Sequence, residues 1–404
     1  MKDSKILNIT KDVQWIGVLD YDIRTFDIVM TTEHGSTYNS YFINAQKKTI
    51  IETVKEKFSE VYFKKLLSVT DPEKIEYIIV NHTEPDHSGN LKNLLKLAPN
   101  AKVVGSGNAI RYMKDQIGHD FPHIIVKHGD KLDLGDRTLH FIGAPNLHWP
   151  DTIYTYLEEE KILFTCDSFG SHYCHAEMFD DKVGNFDDAF KYYFDVILKP
   201  YSKFVLKAIE KIRPLEIAAI LPGHGPLLTT HWKKYVDLSE QYANEYLSRP
   251  ATPRVFIPYV SAYQNTSKLA LKIAEGVKSA GNIDVDICDI EKMPLPEIES
   301  KLMIASGIII GTPTINQNTF IQIYQLFAVA NPIRDIGKLA AAFGSYGWSG
   351  EGTKIVEACL SALKFNFIGS LDMKFSPHEK DYSVYITFGK NFGEQLLNKA
   401  DKHT

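Results

Sequence analysis

The chain has 404 residues, too many for one ordinary hydrophobic core and enough for two or three domains. With 44% hydrophobic and 24% charged residues, its composition is that of a folded globular protein, not a disordered or fibrous one. A formal net charge of -5, with both signs interspersed, argues against nucleic acid or an anionic membrane as the main partner. The start, MKDSKILNITKDVQWIG, lacks an apolar stretch of signal-peptide length, and no apolar run approaches the roughly 20 residues of a membrane-spanning helix. Four cysteines without a C-x-x-C pair suit a reducing compartment, so the expectation is a cytoplasmic protein without disulfides.

From Gly17 to about Ser248, short apolar runs alternate with polar turns: YNSYFIN, TIIET, IEYIIVNH, KVVGSG, TLHFIGAP, IYTYLEEEKILFTCD and IAAILPGHG. These read as strands, with amphipathic helices over Ser88–Leu97 and Phe190–Lys211 between them, giving an α/β or layered α+β domain. Ser248-Arg249-Pro250-Ala251-Thr252-Pro253 resists both helix and sheet and marks a linker, dividing the chain into domains 1–249 and 250–404. Beyond it the pattern is a cleaner βαβ alternation: RVFIPYVS, a helix from about Asn265 to Ala280, VDICDI, a buried strand over Ile304–Ile310, and LAAAFGSYG. A doubly wound parallel sheet is expected there.

The strongest chemical signal is Asn81-His82-Thr83-Glu84-Pro85-Asp86-His87, directly after the apolar strand Ile75–Val80. Extended residues two apart point to the same side, so His82 and Glu84 can face one metal. Asp86 and His87 fall where the chain turns into the next helix and can serve a second. His148 follows the strand Leu139–Ile142, Asp167 follows Ile162–Thr165, and His224 follows Ile217–Leu221, so four strand ends converge on one sheet edge. Carboxylates in near-equal share with histidine, and no thiolate, fit paired iron better than a histidine-rich zinc site, although ligand type alone leaves manganese and zinc open.

Three loops form a second constellation. Ser261-Ala262-Tyr263-Gln264-Asn265-Thr266 opens a helix and can surround a phosphate with hydroxyls and backbone N–H groups. Pro313, Thr314 and Asn316 follow one buried strand; Ser345, Tyr346, Gly347 and Trp348 follow another. Both lie on the crevice edge where doubly wound sheets bind ligands, and Trp348 or Tyr346 can cover a flat ring. There is no Walker lysine and no G-x-G-x-x-G.

His-x-Glu-x-Asp-His with downstream His148, Asp167 and His224, together with these loops, resembles the metallo-β-lactamase superfamily and specifically the flavodiiron proteins (A-type flavoproteins), over essentially the whole chain. The resemblance implies a metallo-β-lactamase-like αββα sandwich followed by a flavodoxin-like doubly wound sheet that binds FMN. It implies that His82, Glu84 and His148 bind one iron, that Asp86 and His224 bind the other with a further residue, and that Asp167 bridges. His87 lies on or beside the metal. His172, in Ser171-His172-Tyr173-Cys174-His175, and Tyr193 are the candidates to touch substrate, the alternative for Tyr193 being a half-buried helix tyrosine that packs its ring. Gln264 stands where the family usually has glycine.

The implied activity is reduction of dioxygen to water, nitric oxide to nitrous oxide, or both, with dioxygen the first choice. Electrons would come from a separate rubredoxin-like protein or a reduced deazaflavin coenzyme through FMN, in a head-to-tail homodimer or a dimer of dimers. The alternatives are a dinuclear-zinc hydrolase with an accessory flavodoxin domain, disfavoured by Glu84 where such hydrolases carry histidine, and an electron carrier fused to a structural metal domain.

Overall fold

The computed structural model describes residues 5–26, 30–248 and 252–401. The chain divides into two compact units, Met1–Ser248 and Arg249–Thr404. Of the expected linker, residues 249–251 lie outside the described residues.

In the first unit, period-two side-chain alternation builds two stacked sheets. A seven-stranded sheet includes Tyr41–Ile43, Lys48–Ile51, Ile75–Val80 and Lys102–Gly105 as adjacent strands. A five-stranded sheet runs from Lys131–Asp133 through Thr138–Gly143, Ile153–Leu157 and Ile162–Cys166 to Ala219–Pro222. Ile79, Val104, Leu139, Phe141 and Phe164 meet in one buried cluster that draws on both sheets. Alternate residues of the same strands point outward: Ile78 and Val80 pack with Leu66, Leu94 and Ile110 of the helices Ser59–Val69, Leu91–Leu97 and Gly107–Ile117. Leu163 and Ile220 pack with Val205, Ile209 and Tyr235 of Ser202–Ile212 and Trp232–Leu247. Helix, sheet, sheet, helix is therefore the layer order. Each fully buried Leu, Ile or Phe contributes about 1.5–3 kcal/mol.

Three expected elements differ. The helix expected over Ser88–Leu97 is broken, with helices at Pro85–Ser88 and Leu91–Leu97. At Gly89 an added Cβ would meet the Pro85 carbonyl oxygen at 2.4 Å, and Asn90 turns its amide onto the carbonyls of Val54 and Lys55. The helix expected over Phe190–Lys211 is Asp187–Tyr193, a π turn at Phe194–Leu198, a 3-10 turn at Lys199–Tyr201 and Ser202–Ile212. Pro200, which has no N–H to donate, sits at the break. In the second unit the strand expected over Ile304–Ile310 is Gly307–Pro313; Ile304 instead ends the helix Leu295–Ile304 and is 42% exposed.

The second unit is a five-stranded parallel sheet in the order Asp284–Asp289, Arg254–Tyr259, Gly307–Pro313, Leu339–Tyr346, Asn366–Lys374. In chain order this is 2-1-3-4-5, the flavodoxin-like winding, with helices such as Asn265–Ser279 and Glu351–Ala362 between strands. No helix among the described residues is long and apolar enough to cross a membrane.

Candidate metal centre and flavin site

The loop after Ile75–Val80 is fixed before it reaches its ligands. Asn81 O accepts from Ile153 N–H at 2.9 Å and its side-chain oxygen accepts from Thr155 Oγ1 at 2.6 Å. Glu84 then stands at the N-terminal boundary of the short helix opened by Pro85, its side chain left free of the helix, and the missing N–H of Pro85 costs nothing at that position. Asp167 follows a register shift between Phe164 and Cys166, with Cys166 in left-handed backbone at φ 49°. At Gly223 a Cβ would lie 2.6 Å from the His87 ring, so glycine is what lets the Ala219–Pro222 strand end approach the site.

These strand ends bring all seven expected metal-site residues together. His82, Glu84, His148 and Asp167 offer donor atoms within 4.8 Å of one another, and so do Asp86, His87 and His224. Glu84 Oε2 lies 3.2 Å from His82 Nε2 and 3.0 Å from His148 Nε2. Asp86 Oδ2 lies 3.0 Å from His224 Nε2. Asp167 faces both groups: Oδ2 is 3.5 Å from His82 Nε2 and 3.6 Å from His148 Nε2, while Oδ1 is 3.0 Å from His87 Nε2 and 3.6 Å from His224 Nε2.

The far nitrogens of His82 and His224 are occupied. His82 Nδ1 lies 3.3 Å from Asp151 Oδ2, which also accepts from Thr83 N–H and Oγ1, and His224 Nδ1–H donates to the Thr37 carbonyl at 2.5 Å. Both rings therefore turn Nε2 inward.

The residues fit a pair of cations. Asp86 Oδ1 and Asp167 Oδ2 are buried without a hydrogen-bond partner. The same electrostatics sets the protonation of these groups. Burial pulls the His87 imidazolium down, but Asp86 and Asp167 outweigh it and raise the group to about 10. For His82, burial is likewise outweighed by the bonds to Asp151 and Glu84, leaving it well above the usual range. Burial pushes Glu84 up, but His148 and His82 hold it down at about 2. Carboxylates that draw protons onto buried imidazoles in this way will exchange those protons for metal.

His172 and Tyr193 border this cluster. Tyr193 is buried, with Asp187–Tyr193 packing its whole ring inward. Its hydroxyl donates to Asp167 Oδ1 at 3.0 Å. The His172 ring lies 4.4 Å from Phe26, 4.9 Å from Tyr193 and 5.2 Å from His224, centroid to centroid. Its Nδ1 is 2.8 Å from Ser36 Oγ, and its buried Nε2 has no hydrogen-bond partner. Burial first, and His224 second, hold it well below the usual histidine range, so it is neutral. His175, from the same segment, turns away and accepts from Glu177 N–H.

The sequence reading missed Glu52, Ser36, Thr37 and Asn39. Asn39 joins the Pro222 and Gly225 carbonyls to the Trp15 indole. An acidic residue closing the buried strand of TIIET was the available signal for Glu52; the others are unremarkable in sequence.

In the second unit the three expected loops share one sheet edge. Thr266 Oγ1 and Ser345 Oγ are 3.1 Å apart, joining the first loop to the third, and Thr314 N–H donates to Ser345 O at 2.8 Å, joining the second. Thr314 Oγ1 accepts from Gly352 N–H, and Ser261 Oγ from Ser267 N–H. Gln264 has φ 62°, which explains the usual glycine; a side chain in left-handed backbone costs about 1–2 kcal/mol. Gln264 makes no side-chain cap, so with Ser267 N–H bound to Ser261 Oγ it is the N–H groups of Asn265 and Thr266 that face an anion at the start of Asn265–Ser279. Ala262 and Asn265 flank that turn, Asn316 sits at φ 53° in a tight reversal, and Pro313 ends its strand. Tyr263 and Trp348 are exposed at 82% and 78%, while Tyr346 is half-buried beside Gly347, giving aromatic faces for a planar ring.

Fold and site together define a two-domain oxidoreductase class: a β-lactamase-like unit with a dinuclear site, and a flavodoxin. A family model described as ODP family beta lactamase matches residues 37–225, and a flavodoxin model matches residues 257–387. The chain is 37% identical over 399 residues to a type A flavoprotein of Rhodobacter capsulatus, covering 97% of this chain and 92% of that one. It is 34% identical over 405 residues to a nitric oxide reductase of Moorella thermoacetica, covering 98% and 100%. The structure is similar to the rubredoxin oxygen:oxidoreductase of Desulfovibrio gigas, with TM-score 0.72 and 29% identity over 98% of this chain and 100% of that one. The chain belongs to the flavodiiron family of type A flavoproteins. Its cofactors are FMN and a diiron centre.

Proposed function

We propose that this flavodiiron protein reduces dioxygen to water, nitric oxide to nitrous oxide, or both, with domains 1–249 and 250–404 carrying the diiron and FMN sites. The observation that carries the reading is Asp167, whose two oxygens face two separate histidine-carboxylate groups. His82, Glu84 and His148 would hold one iron, Asp86 and His224 the other with His87 beside them, and Asp167 would lie between. Ser261, Thr266 and the N–H groups around them would hold the FMN phosphate, with Thr314, Ser345, Tyr346 and Trp348 about the ring. When bound, the irons supply a reducible open face for a diatomic molecule and FMN supplies electrons singly or in pairs. The zinc-hydrolase reading is disfavoured by Glu84, and by a flavodoxin unit that hydrolysis does not need.

The protein's own residues do the rest. Asp151 and the Thr37 carbonyl hold His82 and His224 in the tautomer that faces inward. Tyr193 fixes the rotation of the Asp167 carboxylate through its hydroxyl. Neutral His172, steadied by Ser36, presents Nε2 among Phe26, Tyr193 and His224 and is placed to hydrogen-bond a small neutral substrate. The flavodiiron relative named nitric oxide reductase and the structural neighbour named for rubredoxin and oxygen support both gases, and a rubredoxin-like donor ahead of a reduced deazaflavin coenzyme. We take the cytoplasm as the location, and a head-to-tail homodimer, alone or paired, as the assembly.

With one artificial donor, turnover of dioxygen and nitric oxide measured side by side should show activity on at least one, with dioxygen faster. A protein loaded with both cofactors that turns over neither gas would overturn the assignment. Tyr193→Phe removes one hydrogen bond to a charged group and should lower turnover about tenfold, at about 1.4 kcal/mol, without changing iron content. Unchanged rates on both gases would leave Tyr193 as packing alone.

A further inference from the structure

Glu52 belongs to none of the ligand groups above, yet it reaches both ends of the ligand loop. It follows the strand Lys48–Ile51 with φ 58° and is 2% exposed. Its Oε1 accepts the N–H of Asn81, the residue before His82, at 2.6 Å. Its Oε2 is buried without a hydrogen-bond partner, and so is Nδ1 of His87, on the ring whose Nε2 meets Asp167. Glu52, His87 and Cys166 each offer a donor atom within 4.8 Å of the others. The next residue secures the backbone: Thr53 N–H and Oγ1 both donate to the His87 carbonyl at 2.7 Å.

A buried acceptor and a buried ring nitrogen, each lacking a partner and carried by side chains whose donor atoms come within 4.8 Å, are complementary, and one water or a small rotation joins them. An imidazole that gives its Nε2 lone pair to a metal carries its proton on Nδ1, and a carboxylate there fixes ring and tautomer. We propose that Glu52 is the positioning residue that makes His87 a ligand of the diiron centre, by accepting the His87 Nδ1–H directly or through one water. The proposal rests on the diiron reading above. It assigns to a strand-end glutamate the choice between a histidine on the metal and one merely beside it.

The test is anaerobic ferrous iron titration of the full-length, FMN-loaded protein, read as iron bound at equilibrium dialysis. In Glu52→Gln the amide oxygen still serves Asn81, but the NH2 faces His87 Nδ1 and forces the proton onto Nε2, the wrong tautomer. One of the two irons should bind about 10–100-fold more weakly while the other is unchanged. His87→Ala should reproduce the loss, and Glu52→Gln in the His87→Ala background should add nothing. FMN content and the circular dichroism melt report folding; should Glu52→Gln not fold, Glu52→Asp, with its carboxylate drawn back, should show a smaller loss at the same iron. Cys166→Ser should leave both irons in place.

Wild-type iron affinity in Glu52→Gln, or a full additional loss in the double variant, overturns the proposal. So does an equal loss in Cys166→Ser, which would make the three residues a metal site of their own. If the wild-type protein itself binds no iron pair, the diiron reading fails, a result distinct from any of these.

Discussion

Asp167→Ala should leave at most one iron per chain and lower turnover by more than about 10³-fold, the several kcal/mol that a metal centre supplies to the reaction. Among the described residues the carboxylate is the one group with an oxygen toward each histidine set, at 3.5 Å from His82 and 3.0 Å from His87. Its loss also strips Tyr193 of its acceptor. Three imidazole groups, His87, His82 and His148, are among the influences that hold Asp167 far below the usual carboxylate range against burial. It is therefore anionic at neutral pH, and alanine removes a charge as well as two donor atoms. Asp167→Asn separates those effects: it keeps the shape and one neutral oxygen, and should retain more iron than alanine but not the pair. Metal analysis and gas-electrode rates on both variants give the answer. Two irons and wild-type turnover in Asp167→Ala would remove the bridge from the mechanism.

What the sequence made legible was whatever chemistry sits within a few residues of a strand end. His82 to His87 occupy one loop, and His148, Asp167 and His224 each follow an apolar run, so period-two strands and the motif together locate them. The three loops proposed to hold FMN follow apolar strands in the same way. Glu52 was not, because its partner Asn81 is 29 residues away and a glutamate after TII reads as a solvated strand end. Ser36 acquires its meaning 136 residues from its neighbour His172, and Asn39 reaches Pro222 across 183 residues. Helix ends failed for local reasons: Pro200 and Gly89-Asn90 interrupt apolar patterns that periodicity alone would continue. At Ile304 the apolar run crosses from helix into strand, and hydrophobicity carries no mark of the boundary.

Thr266→Asp should abolish FMN binding while leaving the metal unit loaded. Thr266 is buried in the first turn of Asn265–Ser279, with its hydroxyl 3.1 Å from Ser345. An aspartate there meets the helix N-terminus, where a negative charge is stabilising by about 0.3–1 kcal/mol, offsetting part of the cost of burying it. It opposes the ligand: two like charges about 4 Å apart repel by about 4 kcal/mol at an effective dielectric of about 20, close to a 10³-fold loss of affinity. Flavin absorbance after desalting, with iron content as control, reads the result; retained stoichiometric FMN would move the phosphate elsewhere. This variant also tests the proposed assembly. Alone, Asp167→Ala lacks the iron pair and Thr266→Asp lacks the flavin, so each is inactive. In a head-to-tail dimer the flavin of one chain serves the iron of the other, and a two-fold axis makes both contacts equivalent. Co-expressed under two affinity tags and purified through both, the hybrid would hold one intact pair, between the flavin of the Asp167→Ala chain and the iron of the Thr266→Asp chain. It should recover about half the wild-type turnover per dimer, from one working site of two. A pure hybrid with no activity would confine electron transfer to a single chain, because then every flavin sits with a broken iron site and every iron site with an empty flavin loop.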